Sequence, residues 1–149
     1  MLQMKIEFDD KELIKLLENA KINYYAEIGV FDKTNATKGA THEFGSISHN
    51  VPKRSWLKMP LEEHKDELLQ TAKDVIANNI KENNIDNKQV ANQLGLTAES
   101  IVKKAFTTGG FGKWEALKQS TIEAKKGNKT ILVDKAELVN AVRSRVKKG

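Results

Sequence analysis

Tyr24-Tyr25-Ala26-Glu27-Ile28-Gly29-Val30-Phe31 is the stretch on which the fold turns. Tyr24, Ala26, Ile28 and Val30 share one face at a period of two, the pattern of a strand buried on one side. Gly29 leaves room for another element to pass the backbone closely. Upstream, Met4-Lys5-Ile6-Glu7-Phe8 alternates in the same way and is expected to pair with it. Between the two, Asp9 or Asp10 can cap a helix over residues 11–20, whose apolar face is Leu13, Leu16, Leu17 and Ala20.

Downstream the period changes to that of helices. Pro60 suits a first helical position, with Glu62 and Glu63 at the positive end of the dipole. Leu68, Leu69, Ala72, Val75, Ile76 and Ile80 then form an apolar stripe. Asp86 and Gln89 make a capping box for a helix burying Val90, Ala91 and Leu94. Gly95 either ends that helix, with Thr97 capping a second over Ala98, Ile101, Val102 and Ala105, or sits inside one continuous helix at a cost of ~1 kcal/mol. A Gly-rich turn follows at residues 107–112, then a short helical stretch from Trp114 and Leu117, and the apolar run Ile131-Leu132-Val133. Asp134 with Glu137 predicts a short helix burying Leu138 and Val139, and Val142, Ser144 and Val146 also fit a closing strand. No repeat or linker divides residues 1–149, so the chain reads as one α+β domain: a small antiparallel sheet packed against several helices.

Residues 32–55 stand apart. They are rich in Thr, Asn, Gly, Ser and Lys and hold no apolar period, which predicts a long loop extending from the sheet. Phe44, Ile47 and Val51 interrupt it and need a surface, from this domain or from a neighbouring subunit. Pro52 biases Val51 toward an extended backbone. Arg54 is a permanent cation beside Trp56, able to pair with a carboxylate or to stack on a ring. Trp56 and Leu57 either plug the core beneath the long helix or meet another subunit.

The composition narrows the chemistry. With no cysteine, disulfides, thiol catalysis and Cys-based zinc sites are excluded. No apolar run approaches the ~20 residues of a bilayer span, and residues 1–10 lack the basic-then-apolar pattern of a secretory signal, so neither membrane nor export is expected. His42-Glu43 resembles the start of a helical zinc-protease motif, but Ser46 stands where the second histidine belongs. His49 shares the same polar segment and His64 lies apart, so the three histidines do not suggest a metal site. In Thr107-Thr108-Gly109-Gly110-Phe111-Gly112-Lys113 the lysine precedes Trp114 instead of a hydroxyl residue, and no strand precedes the run, which argues against a phosphate loop. No catalytic residues, metal or cofactor are expected, and the chain does not read as an enzyme. Charge is uneven: residues 1–75 carry 11 Lys/Arg against 13 Asp/Glu, residues 76–149 carry 14 against 7. A basic half attracts phosphate, which makes a small DNA-binding protein the alternative reading. Arginine is scarce, however, and most lysines fall opposite apolar helix faces.

Three stretches, read in order, resemble phage virion-morphogenesis proteins, the Mu G-like and lambdoid tail-completion family. His42-Glu43-Phe44-Gly45-Ser46 followed by Val51-Pro52-Lys53-Arg54-Ser55-Trp56-Leu57 is similar to that family's Glu-Phe-Gly, then Ile-Pro-x-Arg-x-Phe-Leu signature, with Ser55-Trp56 replacing the usual Pro-Phe. Leu94-Gly95-Leu96, Ile101 and Gly109-Gly110 resemble its central helical region and turn. Trp114–Leu117, Ser120-Thr121-Ile122, Lys125 or Lys126, and Leu132-Val133-Asp134-Lys135-Ala136-Glu137-Leu138 resemble its ending, with Lys135-Ala136 in place of Thr-Gly. The resemblance implies a structural subunit of the head–tail junction that catalyses nothing. It would assemble as a ring homo-oligomer, often a hexamer, and join other neck, connector, tail-terminator or tail-tube proteins near DNA in the channel. Its place would be the virion tail or neck, with the host cytoplasm during assembly. Interface candidates on this reading are Glu43, Phe44, Arg54 and Trp56.

Overall fold

The computed structural model describes residues 2–3, 5, 10–11, 23–84, 86–118, 123 and 136–149. The predicted strand at 4–8, the helix at 11–20, the apolar run 131–133 and Asp134 lie outside these residues, apart from Lys5 and Lys11. The described elements run β1 (Leu2–Gln3), β2 (Tyr24–Val30), α1 (Lys33–Phe44), α2 (Lys58–Glu63), α3 (Lys65–Lys81), α4 (Asn87–Thr107), α5 (Glu137–Ala141) and β3 (Val142–Lys148).

β2 is the centre of a small antiparallel sheet of order β1-β2-β3, packed with helices in an α+β fold. Leu2 and Gln3 pair with Val30 and Gly29, while β3 runs the whole length of β2, from Tyr24 opposite Lys148 to Val30 opposite Val142. Of the predicted inner face of β2, Ile28 and Val30 are buried and Tyr24 and Ala26 half-buried, while Gly29 on the other face is buried as well.

One continuous helix, α4, lies across the sheet. Asp86 caps it by accepting the Gln89 N–H at 3.0 Å. Gly95 is not its end but its point of closest approach. A methyl group there would stand 3.0 Å from Ser144 Cβ and 3.4 Å from Ala26 Cβ, so the missing side chain lets the helix settle onto β2 and β3. One turn further on, the Glu99 carboxylate accepts the backbone N–H of Ser144 at 2.9 Å and the Lys103 ammonium at 2.5 Å. β3 is an edge strand among the described residues, and Glu99 satisfies one of its backbone donors.

The main core fills the space between α4, the sheet and the shorter helices. Phe106 packs against both indoles, 5.7 Å from Trp56 and 5.8 Å from Trp114, the latter edge-on. Leu57, Leu61, Leu68, Val102 and Val142 close around them. A second cluster of Ala72, Ile76 and Val90 joins α3 to α4. Ile80, the last member of the predicted stripe, is half exposed, and Asn79 is buried instead.

The predicted long loop at 32–55 is corrected. Residues 33–44 form α1, opened by Asp32, whose carboxylate accepts the Asn35 N–H at 2.8 Å. Its buried positions are Ala36, Gly39 and Glu43, so its buried face has no large apolar residue to produce a helical period. The apolar bulk is on the partner side: a methyl group on Gly39 would lie 2.7 Å from Trp56 Cζ2. Two smaller corrections follow. α2 starts at Lys58, placing Pro60 inside its first turn, and residues 115–118 are not helical. Near the C-terminus, α5 buries Leu138 and the closing strand also forms.

Glu99 supplies a test of the α4–β3 contact. Burial raises its pKa, but the Lys103 ammonium and the Ser144 N–H outweigh this and hold it below the ordinary 4.5. A carboxyl whose folded pKa is depressed stabilises fully above its unfolded pKa and loses that contribution as pH falls through the folded value. Glu99→Gln is therefore expected to be less stable than the parent at pH 7, with the gap narrowing as the pH falls below the ordinary 4.5. Urea unfolding at pH 7 and through the acid range measures it.

Candidate functional site

The segment from α1 to α2 is organised around one buried carboxylate. Glu43, on the last turn of α1, is 3% exposed. Its Oε2 accepts the backbone N–H groups of Trp56 and Leu57, each at 2.9 Å. Its Oε1 accepts the Ser55 hydroxyl at 2.7 Å and the Lys58 N–H at 3.2 Å. The first N–H groups of any helix lack intrahelical partners, and Leu57 at the N-cap of α2 offers no side-chain acceptor. Glu43 fills that role from across the fold, and a carboxylate is the better acceptor at a helix start because it also meets the positive end of the dipole. Ser55 completes the cap by accepting the Met59 N–H at 2.9 Å through the hydroxyl that it donates to Glu43.

Arg54 and Trp56 serve the same junction. Arg54 is buried, and its Nε and Nη2 both donate to the Glu115 carbonyl at 3.2 Å. Burial lowers its pKa, partly offset by the Glu115 carboxylate. Trp56 is fully buried and its indole N–H donates to the Gly39 carbonyl at 2.8 Å. Trp114 reaches the segment from the other side, donating its indole N–H to the Ser55 carbonyl at 3.0 Å. The Gly-rich turn exists to seat that ring: a Cβ on Gly110 would fall 2.3 Å from the Trp114 indole. Gly109, Gly110, Phe111 and Gly112 all take positive φ there, and Lys113 pairs with Glu63.

What this base holds outward is a small hairpin. Gly45, at φ +76°, turns the chain out of α1, and a Cβ there would press on the Lys53 backbone nitrogen at 3.0 Å. Ser46 and Val51 exchange backbone hydrogen bonds at 2.8 Å, with residues 47–50 as the turn. The Arg54 N–H donates to the His42 carbonyl at 2.7 Å, closing the base. Phe44 is 66% exposed and Ile47, at the turn, is fully exposed. Ser46, Ser48 and His49 hydrogen-bond to one another across the hairpin at 3.0–3.2 Å.

Of the four interface candidates, then, Phe44 stands on the surface. Glu43, Arg54 and Trp56 are buried inside the chain and present almost no surface to a neighbour; their physical task is to hold the hairpin's base. Ile47 joins Phe44 as an exposed group. Sequence reasoning passed over Gly39, Ser55 and the bond from Trp114 to Ser55, because each depends on a partner at least 12 positions away. Among the described residues no three His, Cys, Asp or Glu side chains gather in metal-binding geometry, and no helix is long and apolar enough to cross a membrane.

Replacing Glu43 with glutamine keeps the shape but turns an amide N–H₂ toward groups that are themselves donors. Glu43→Gln is expected to lower stability by roughly 2–3 kcal/mol, the scale for losing charge-assisted bonds and stranding buried donors. Chemical unfolding measures the loss, and a change within error would remove Glu43 from its central place.

No protein-family model matches the chain, and neither a curated protein nor a solved structure does so.

Proposed function

We propose that this chain is a structural subunit of the phage head–tail junction, a tail-completion or neck protein that acts by forming a ring, without catalysis. The observation that carries the reading is the end of α1 and the hairpin after it: Phe44, the last residue of the helix, and Ile47, on the hairpin turn, stand in solvent above a base tied by Glu43, Gly45 and Arg54. Isolated exposed apolar residues are ordinary on protein surfaces. One at the end of a helix and one on the turn just after it, braced by buried charge, are better explained by a partner that covers them. The resemblance stated from the sequence falls on the same residues: Glu43 is the cap, Gly45 the exit, Arg54 the tie and Trp56 the plug.

Repetition is the mechanism. A hairpin of this size buries too little area for a stable pairwise complex. Several copies around a symmetry axis engage together, and the summed contact becomes strong. The ring, expected to be hexameric, would meet connector or tail proteins above and below.

Arg54 is unsuitable as a probe of the interface, since truncating it would leave a cavity and the Glu115 carbonyl without its donors. Phe44→Ala with Ile47→Ser touches only exposed side chains. The double variant is expected to keep the parent's thermal midpoint within a few degrees and to fail to join heads to tails in a complementation assay. Infectious particles at the parental yield would show that the hairpin is not a contact and would remove the reading's main support.

A further inference from the structure

β3 has two unlike faces. Val142 is fully buried, and Ser144 faces Gly95 on α4. The alternate residues Arg143, Arg145 and Lys147 are exposed, and Lys148 follows, so the strand holds four cations and no acidic residue. The Arg145 guanidinium lies 3.5 Å above the Phe31 ring, which fixes its plane. Arg143 is held back toward its own strand by a 2.7 Å bond from Nη1 to the Val142 carbonyl. Lys147 pairs with Glu27 at 3.2 Å, whereas Arg143 and Arg145 have no salt-bridge partner among the described residues.

The two arginines line an open groove of about 460 Å³ together with Phe31, Asp32, Ala141 and Ser144. Asp32 is the one anion in that lining, and its carboxylate is engaged by the backbone and side-chain N–H groups of Asn35. A guanidinium fixed on a ring keeps its outer N–H groups available and loses little rotamer freedom on binding, the arrangement suited to phosphate oxygens. Along an extended strand, same-face cations recur about every 6.8 Å, a row instead of a pocket. A row matches a continuous polyanion better than a single bound anion.

From this we infer that the exposed face of β3, with Arg143 and Arg145 at its centre, is a contact surface for the phosphate backbone of duplex DNA, read without sequence specificity. The inference deepens the ring reading, on which its setting rests: β3 becomes the strand turned toward the DNA passage. Charge complementarity is the argument for this occupant, since the half of the chain that contains β3 holds 14 Lys/Arg against 7 Asp/Glu.

The test titrates the full chain into a fluorescently labelled duplex of scrambled sequence between about 50 and 200 mM salt. The parent is expected to bind with a steep salt dependence. Arg143→Gln with Arg145→Gln should lower the slope of log K against log salt by about 2, close to one unit for each lost phosphate contact. Arg143→Lys with Arg145→Lys keeps the charge and should retain most of the slope. Lys81→Gln with Lys88→Gln, at the end of α3 and the start of α4, removes the same charge off the strand and should lower the slope by much less than the Arg→Gln pair; an equal loss would assign the binding to general charge and overturn the inference. Equal slopes for the parent and the Arg→Gln double variant would overturn the inference, as would absence of salt-dependent binding by the parent. Polyglutamate displacing the duplex as well as unlabelled DNA does would assign the face to an acidic protein and overturn the choice of DNA. Head–tail joining by the Phe44/Ile47 variant is scored separately, so failure of the ring reading leaves a result here that can be told apart from failure of this one.

Discussion

A single carboxylate holds the two halves of the site together. Glu43 accepts four donors, three of them the backbone N–H groups of Trp56, Leu57 and Lys58, where α2 begins. Burying a carboxylate is expensive, and it is tolerated only where its lone pairs are filled. Here they are filled by the groups that most need an acceptor, the orphan donors of a helix start. Each cost cancels part of the other. Without Glu43, α2 would begin with unsatisfied backbone in an apolar interior, and Trp56 would keep only its indole bond and packing to hold it beneath α1.

The remaining features follow from that bond. Because α1 must approach until Glu43 reaches residues 55–58, its contact face carries Ala36 and Gly39, and the Trp56 indole lies against the glycine. Because the segment 51–55 is tied to the end of α1, the residues between them are forced into a tight hairpin with Gly45 at positive φ. The exposed Phe44 at the end of α1 and Ile47 on the hairpin turn therefore sit on a stiff mount. On the reading proposed, an assembly contact benefits from such a mount, since less ordering remains to be done when partners meet.

Stiffness at the site also depends on the far side of the core. Trp114 bonds the Ser55 carbonyl, and Arg54 reaches the Glu115 carbonyl, so the chain after α4 braces the chain before α2 in both directions. The Gly-rich turn that superficially resembles a phosphate loop belongs to this brace. Its glycines are needed for positive φ and for the space that the indole occupies.

The strand Tyr24–Val30, the Asp86 cap, the stripe of α3 and the turn at the end of α4 were all legible by eye, because each is written in neighbours three or four positions apart or in alternation. The sequence by itself also determined the α+β class, the absence of thiol chemistry and the uneven charge. Tertiary structure alone decided the rest. It made α1 a helix although no apolar period marks it, since the bulk that α1 buries against belongs to Trp56. It kept α4 continuous, since Gly95 spares a clash with Ser144 and Ala26 that no local rule can foresee. It turned Glu43, Arg54 and Trp56 from candidate contacts into internal supports, since their partners lie 12 to 61 positions away along the chain and only folding brings them within hydrogen-bond reach.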